Sequence, residues 1–154
     1  MGMDKWTLWH VGISVKNMDQ AVAYYKSLGG KTDDAPGHVL NSANFKEFKT
    51  YGKTNAPPWK IKIKMVNLGP LMLELTEPIE GGNYNETFMD KHGEGPNHVA
   101  YQVDDLEKEV KELENKGVPA MYHAKHTYAY LDARKIGGLV IELFQKRDVS
   151  AQKR

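Results

Sequence analysis

Two stretches decide how this chain is read. They are Trp9-His10-Val11-Gly12-Ile13-Ser14-Val15-Lys16-Asn17-Met18-Asp19-Gln20 and Asn97-His98-Val99-Ala100-Tyr101-Gln102-Val103-Asp104-Asp105-Leu106-Glu107-Lys108. Each runs His-Val, a small residue, a hydrophobic one, any residue, Val, and then a polar helix start. A second pair lies further along, Leu71-Met72-Leu73-Glu74-Leu75 and Leu139-Val140-Ile141-Glu142-Leu143. Each half therefore opens on a His and closes on a Glu. Self-similarity on this scale marks a duplicated unit. His and Glu are 64 residues apart in the first half (10 to 74) and 44 in the second (98 to 142). The extra length is assigned to an insertion at 31–58, a polar stretch bearing Gly and Pro.

Local patterns give the same elements twice. Residues 7–15 alternate and are rich in Val and Ile, which predicts a strand. Asn17 is a helix N-cap with Gln20 three residues on, and the helix through Ala21-Val22-Ala23-Tyr24-Tyr25 stops at Gly29-Gly30. In the second half 98–103 is a strand and Asp104 is expected to cap, with Glu107 as its box partner. Leu106, Val110 and Leu113 recur at helical spacing, and Gly117 and Pro119 end that helix. Strands are expected at 38–48, 60–67 and 71–77, then at 120–123, 127–131 and 138–145. The expected fold is α+β, a single domain over 1–154 built from two tandem βαβββ modules. The first spans 5–77 and the second 97–146. A linker at 78–96 carries a short helix near Thr87-Phe88-Met89, and 147–154 is a polar tail.

Side chains alternate across a strand. Val11, Ile13 and Val15 share one face, and His10, Gly12 and Ser14 the other. Likewise Leu73 and Leu75 oppose Glu74, and Ile141 and Leu143 oppose Glu142. If the apolar set packs under the helices, the His and Glu set faces the cavity between two halves related by a pseudo-two-fold axis. That brings His10, Glu74, His98 and Glu142 together. A single His in a strand is more often a hydrogen-bonded structural residue. The repetition, and the penalty for burying an unpaired carboxylate in an apolar strand, point instead to a shared metal. Two imidazoles and two carboxylates suit one divalent ion of intermediate hardness, Co, Ni, Mn, Zn or Fe.

Composition narrows the class. The 154 residues carry 21 basic and 20 acidic side chains, a net charge of +1, so the basic excess of a nucleic-acid binder is missing. There is no cysteine, which removes disulfides, thiol catalysis and thiolate metal sites. No apolar run reaches membrane-spanning length, and Met1-Gly2-Met3-Asp4-Lys5 lacks an apolar signal core. A soluble cytoplasmic domain is expected, with no membrane or nucleic-acid partner.

The repeated phrases, with Glu74-Leu75-Thr76-Glu77-Pro78, Gly93-Glu94-Gly95-Pro96-Asn97-His98 and Gly137-Gly138-Leu139-Val140-Ile141-Glu142-Leu143, resemble the vicinal oxygen chelate superfamily of glyoxalases, bleomycin-resistance proteins and dioxygenases. Within it the pattern is most similar to the methylmalonyl-CoA epimerases. The resemblance implies a curved sheet around a cavity, metal ligands at His10, Glu74, His98 and Glu142, and a homodimer. It implies an isomerase that moves an α-proton next to a carbonyl or thioester of a small-molecule substrate such as an acyl-CoA. Glu142 is then the ligand that also acts as base, with Glu74 its symmetric counterpart. A carboxylate at position 74 makes four protein ligands, as in bacterial glyoxalase I, where the dioxygenases generally use three. The alternatives are a glyoxalase-I-like lyase, an Fe(II) dioxygenase, and a resistance-type protein that sequesters a small molecule. The chain also departs from the epimerases. Lys60-Ile61-Lys62-Ile63-Lys64 has no acid where a further one is expected. Asp132-Ala133-Arg134 stands where epimerases commonly carry His-Pro-Lys. Tyr128, Tyr130 and Arg134 are the candidates for substrate contact. His123 and His126 are weighed as a second metal pair without a nearby carboxylate, and His38 and His92 read as surface residues.

Overall fold

The computed structural model describes residues 2–147, so 148–154 of the expected tail lie outside the described residues. Strand β1 (Thr7–Ser14) leads into helix α1 (Met18–Ser27), then β2 (His38–Asn41), β3 (Phe48–Thr50), β4 (Lys60–Leu68) and β5 (Leu71–Glu80). Helix α2 (Tyr84–His92) follows, then β6 (Gly95–Val103), α3 (Leu106–Asn115), β7 (Ala120–Ala124), β8 (Tyr128–Ala133) and β9 (Leu139–Gln145). The nine strands among the described residues form one mixed sheet in the order β2-β4-β5-β1-β6-β9-β8-β7-β3. β1 pairs parallel with β5 and β6 parallel with β9, while β1 and β6 are antiparallel at the centre. The order therefore mirrors itself about the β1/β6 contact, which is the pseudo-two-fold relation of two βαβββ units.

The stretch expected as one weak strand at 38–48 is two strands joined by a 3-10 turn at Ser42–Asn44. β2 pairs with β4 of its own half, whereas β3 crosses over and pairs with β7 of the other, Phe48 opposite Ala124 and Thr50 opposite Tyr122. This connection forces the sheet to curl. Nine flat strands about 4.8 Å apart would set the outer edges roughly 38 Å apart. The seven residue steps from Asn41 to Phe48 reach at most about 25 Å. The two edges are therefore drawn toward each other, and the curled sheet is a half-barrel with few helices.

Alternation puts the helices on one face. Under α1, Val15, Met18, Val66, Leu73 and Leu75 form one core. Under α3, Leu106, Val110 and Leu113 pack with Val103, Leu131 and Leu143. Burying each such side chain is worth about 1.5–3 kcal/mol, which fixes the face each strand turns to its helix. Asn17 caps α1, its side chain accepting from the Gln20 N–H at 2.9 Å. α3 is capped by Asp105, which accepts from the Lys108 N–H at 3.1 Å, and not by Asp104. Asp104 is turned to Lys146 instead, 2.9 Å away, and Glu107 accepts from the His126 N–H at 2.8 Å. The segment 78–96 holds the end of β5, α2 and the start of β6; α2 contains Thr87-Phe88-Met89. None of the helices among the described residues is long and apolar enough to cross a membrane.

Candidate metal centre and cavity

Register explains why the small residues at 12 and 100 matter. Across the sheet, His98 lies opposite Gly12, and Gly12 opposite Glu74. In the mirror-related row, His10 lies opposite Ala100, and Ala100 opposite Glu142. Each His thus reaches over a small residue to a Glu two strands away. At Gly12 the approach is so close that an added Cβ would stand 1.8 Å from His98 Cε1. The two rows bring all four side chains to one point, with one ligating atom from each within 4.8 Å of the others. Glu142 Oε2 is 3.1 Å from Nε2 of both His10 and His98. Glu74 Oε2 is 3.5 Å from His10 Nε2, and its Oε1 is 3.8 Å from His98 Nε2. All four are buried, His10 completely.

Burial pushes the Glu142 carboxyl up, but the imidazoles of His98 and His10 outweigh it and hold it below the usual carboxylate range. Glu74 moves the other way. Burial raises it, and the charge of Glu142 raises it further against the partial relief of the two imidazoles. Burial lowers His10, yet its hydrogen bond to Glu142 and the charges of Glu74 and Glu142 leave it raised. So two carboxylates share one buried point, and the one with less imidazole contact is the one whose proton affinity rises. A divalent cation would remove that conflict. The donor set, two nitrogens and two carboxylate oxygens aimed at one spot without a Lys or Arg among them, fits such an ion.

His98 is oriented by a buried polar chain that the sequence did not single out. Its Nδ1 meets Asn97 Oδ1 at 2.5 Å. The Asn97 amide donates to Asn85 Oδ1 at 2.7 Å and to Ser14 Oγ, and Ser14 in turn donates to Asn85 Oδ1 at 3.1 Å. The arrangement places a proton on Nδ1 and leaves Nε2 free as a ligand. Asn97 can turn beside its neighbour because the β1/β6 register slips between Gly12 and Ile13, opposite Asn97. A second slip, between Leu8 and His10, frees Trp9 beside His10. The two bulges occupy equivalent places, but Trp9 offers no acceptor, and His10 Nδ1 is buried without a hydrogen-bond partner among the described residues.

A cavity of about 330 Å³ opens over Glu74 and Glu142. Its walls are largely aromatic, with Trp9, Phe45, Trp59, Tyr128, Tyr130 and Phe144 all contributing. Tyr128 and Tyr130, candidates from the sequence, are buried in this wall, and the Tyr130 ring centroid is 4.9 Å from that of His98. Burial, and then the charge of Glu142, push both phenols well up, so they stay protonated. Arg134, the third candidate, is not in the wall. Its Nε and Nη2 grip the two Asp132 oxygens at 2.7 and 2.8 Å, and Tyr51 donates to Asp132 at 2.9 Å. These bonds, with Arg134 foremost, pull the Asp132 carboxyl down to about 2. On β4 the cavity face shows Ile61 and Ile63, so the Lys60, Lys62 and Lys64 side chains project to the other face and no acid enters from this strand. His123 and His126 do meet a carboxylate. Glu107 Oε1 lies 3.2 Å from His123 Nε2 and 3.7 Å from His126 Nδ1, in a cluster where the His126 side chain is 69% exposed. His38 is exposed and borders the cavity, and the ring centroid of His92 lies 4.9 Å from that of Phe88.

The curled sheet of paired βαβββ units is matched in sequence as well. Residues 9–137 match the Glyoxalase/Bleomycin resistance protein/Dioxygenase superfamily. The chain belongs to that superfamily. It is 25% identical over 145 residues to the mitochondrial methylmalonyl-CoA epimerase of Homo sapiens, covering 88% of this chain and 72% of that protein. It is 22% identical over 144 residues to the uncharacterized protein YqjC of Bacillus subtilis, covering 90% and 91%. The crystal structure of methylmalonyl-CoA epimerase from Mycobacterium tuberculosis superposes with a TM-score of 0.67 at 22% identity, covering 94% of this chain and 91% of that one. Superfamily members bind a divalent metal, and the His-Glu-His-Glu cluster of this chain could hold one.

Proposed function

We propose that this chain is a divalent-metal-dependent isomerase that moves an α-proton beside a carbonyl or thioester, as an epimerase does. The observation that carries the reading is the pair of mirror-related carboxylates, Glu74 and Glu142, converging with two imidazoles at the base of an apolar cavity. Membership of the superfamily and the likeness to a human methylmalonyl-CoA epimerase support it. A divalent ion held by His10, Glu74, His98 and Glu142 would supply positive charge against the negative charge that develops on the substrate oxygens.

The protein's own groups do the rest. Glu142, held ionised by two imidazoles, accepts the α-proton as the Cα–H bond breaks, and a carboxylate O–H forms. Return of a proton to the opposite face inverts the centre, and Glu74, related to Glu142 by the pseudo-two-fold axis, stands on the mirror-related side for that step. Asn97 keeps His98 in one tautomer throughout. The aromatic walls exclude water from the carbanionic stage.

Two carboxylates about one centre also serve a lyase of the glyoxalase I type, in which the proton returns to the neighbouring carbon. The test is α-proton exchange in D2O, followed by mass spectrometry with an acyl-CoA such as methylmalonyl-CoA, on metal-loaded protein. Exchange is expected without dioxygen, lost on chelation, and reduced by roughly 10²–10⁴ in Glu142→Gln. Turnover of a hemithioacetal without acyl-CoA exchange would select the lyase. Exchange undiminished in Glu142→Gln would remove Glu142 from the base role.

A further inference from the structure

The cavity walls say more about the substrate than the reaction does. The second half supplies Tyr128, Tyr130 and Phe144, β1 supplies Trp9 at its bulge, and the segment between β2 and β4 adds Phe45 and Trp59. Their rings are locked against one another. Phe45 meets Tyr128 edge-on at 5.2 Å, Tyr128 stacks on Phe144 at 5.7 Å, and Trp9 meets Phe144 edge-on at 4.5 Å. The first half completes the enclosure with Leu40, Ile61 and Ile63. Besides Glu74 and Glu142, the charged or basic residues among the described lining are His38 and Arg147, both exposed and therefore at the mouth. Arg134, the basic candidate from the sequence, is exposed, lies outside this lining and is spent on Asp132.

We infer that the group attached beside the reacting carbon is flat, apolar and at least ring-sized, an aromatic or conjugated substituent, with the oxygens of the molecule directed at the four-residue cluster. The inference rests on the proposed reaction only for the placement of those oxygens. A methyl group would leave most of about 330 Å³ unfilled, and the lining would forfeit its dispersion contacts. A ring slotted among these walls meets faces and edges at the 4.5–7 Å spacing that aromatic pairs favour. Rigid rings preset in position also limit the ordering that binding requires. The aromatic wall comes from both halves, whereas the aliphatic residues Leu40, Ile61 and Ile63 all come from the first, so the enclosure is asymmetric although the cluster beneath it is not. That asymmetry gives a prochiral substituent one preferred side.

The experiment compares mandelate with lactate, which share a carboxylate and an α-hydroxyl and differ in phenyl against methyl. The full chain is loaded with Mn2+ and titrated, with the fluorescence of Trp9 and Trp59 as the reporter and calorimetry in parallel. Mandelate is expected to bind at least about tenfold more tightly than lactate. Phe45→Ala is expected to bring that ratio below about threefold by weakening mandelate alone, and Phe45→Leu to fall between. Phe45 is only partly buried, so both variants are expected to fold, which their melting curves check. Equal affinities, a lactate preference, a ratio unmoved by both variants, or no binding of either acid below about 10 mM would overturn the inference. A clear mandelate preference with no α-proton exchange in any thioester would leave the substrate class standing and remove the reaction. Methylmalonyl-CoA exchange with equal affinities would do the reverse.

Discussion

Adding one methyl group at residue 12 isolates the geometry of the site. In Gly12→Ala the new Cβ would stand 1.8 Å from His98 Cε1, 2.2 Å from Nδ1 and 2.3 Å from Nε2. An ordinary carbon contact is about 3.5 Å, so the ring or the strand must give by roughly 1.7 Å. The ring cannot swing freely, because His98 is 2% exposed and its Nδ1 is held by Asn97. Gly12 is not among the residues with positive φ, so its backbone suits alanine. By propensity alone the change would then stabilise the strand by about 0.5–1 kcal/mol. The overpacking opposes this with about 1–3 kcal/mol, so a net loss identifies the steric term. Ligand distances in metal sites tolerate about 0.2 Å, far less than the displacement required. The expected outcome is a fall of about 10–100-fold in metal affinity by competition with a chromophoric chelator. Thermal denaturation should show a drop of roughly 2–4 °C for each kcal/mol lost. In the His98→Ala background the ring is absent, so adding Gly12→Ala there should no longer destabilise. Full metal affinity and an unchanged melting temperature in Gly12→Ala would refute the close approach of ring and strand.

Other outcomes follow from the same geometry. Saturating divalent metal at about 100 times its Kd should stabilise the chain by about 2.7 kcal/mol, a shift reversed by EDTA and absent in a Glu74→Gln/Glu142→Gln double variant; no shift with any of Co, Ni, Mn, Zn or Fe would count against the centre. Asn97→Ala should lower metal affinity about 10–100-fold while leaving the ligands in place, and Asn97→Asp, which keeps the acceptor, should recover most of it. Asp132 has its carboxyl lowered from 3.8 to about 2 in the folded chain. Its contribution is therefore present above about pH 4 and lost as the pH falls through about 2. In chemical denaturation, wild type should lose its advantage over Asp132→Asn across that window; a constant difference between the two from pH 6 to pH 2 would remove the charge from the argument.

The cluster was legible because duplication wrote it twice. Two His-Val phrases and two Glu-bearing strands, combined with the two-residue period of a strand, identified both the residues and the face they share. Much of their support was not legible. A bulge adds one residue to one strand of a pair, and that extra residue exists only relative to the partner. Alternation within β1 or β6 therefore predicted neither Trp9 beside His10 nor Asn97 beside His98. The polar chain from Ser14 through Asn85 to Asn97 joins three elements, and no spacing in the sequence signals it. Asp104 and Asp105 have equal local claims to the cap of α3. Lys146 and His126, both distant in sequence, settle the matter by engaging Asp104 and Glu107. Arg134, a candidate for substrate contact, lies outside the cavity lining, and its surroundings were hidden for a related reason, since its partner Asp132 is two residues away but Tyr51 comes from the segment read as an insertion.

That segment has a consequence for how copies of this chain can meet. β3 ties the first half to the far edge of the second, through pairings that join Phe48 to Ala124 and Thr50 to Tyr122. Because this tie is separate from the connection through α2, the two halves are joined at the centre of the sheet, where β1 meets β6, and again at the edge, where β3 meets β7. Trading a half with a neighbouring molecule would require peeling β3 from β7 before any new pairing formed. Once β3 is in place, the sheet ends in its two shortest strands, of four and three residues. They offer little ladder for a second chain to extend. Edge addition would therefore add few hydrogen bonds to this sheet, and an exchange of halves would first have to break the β3 to β7 pairing.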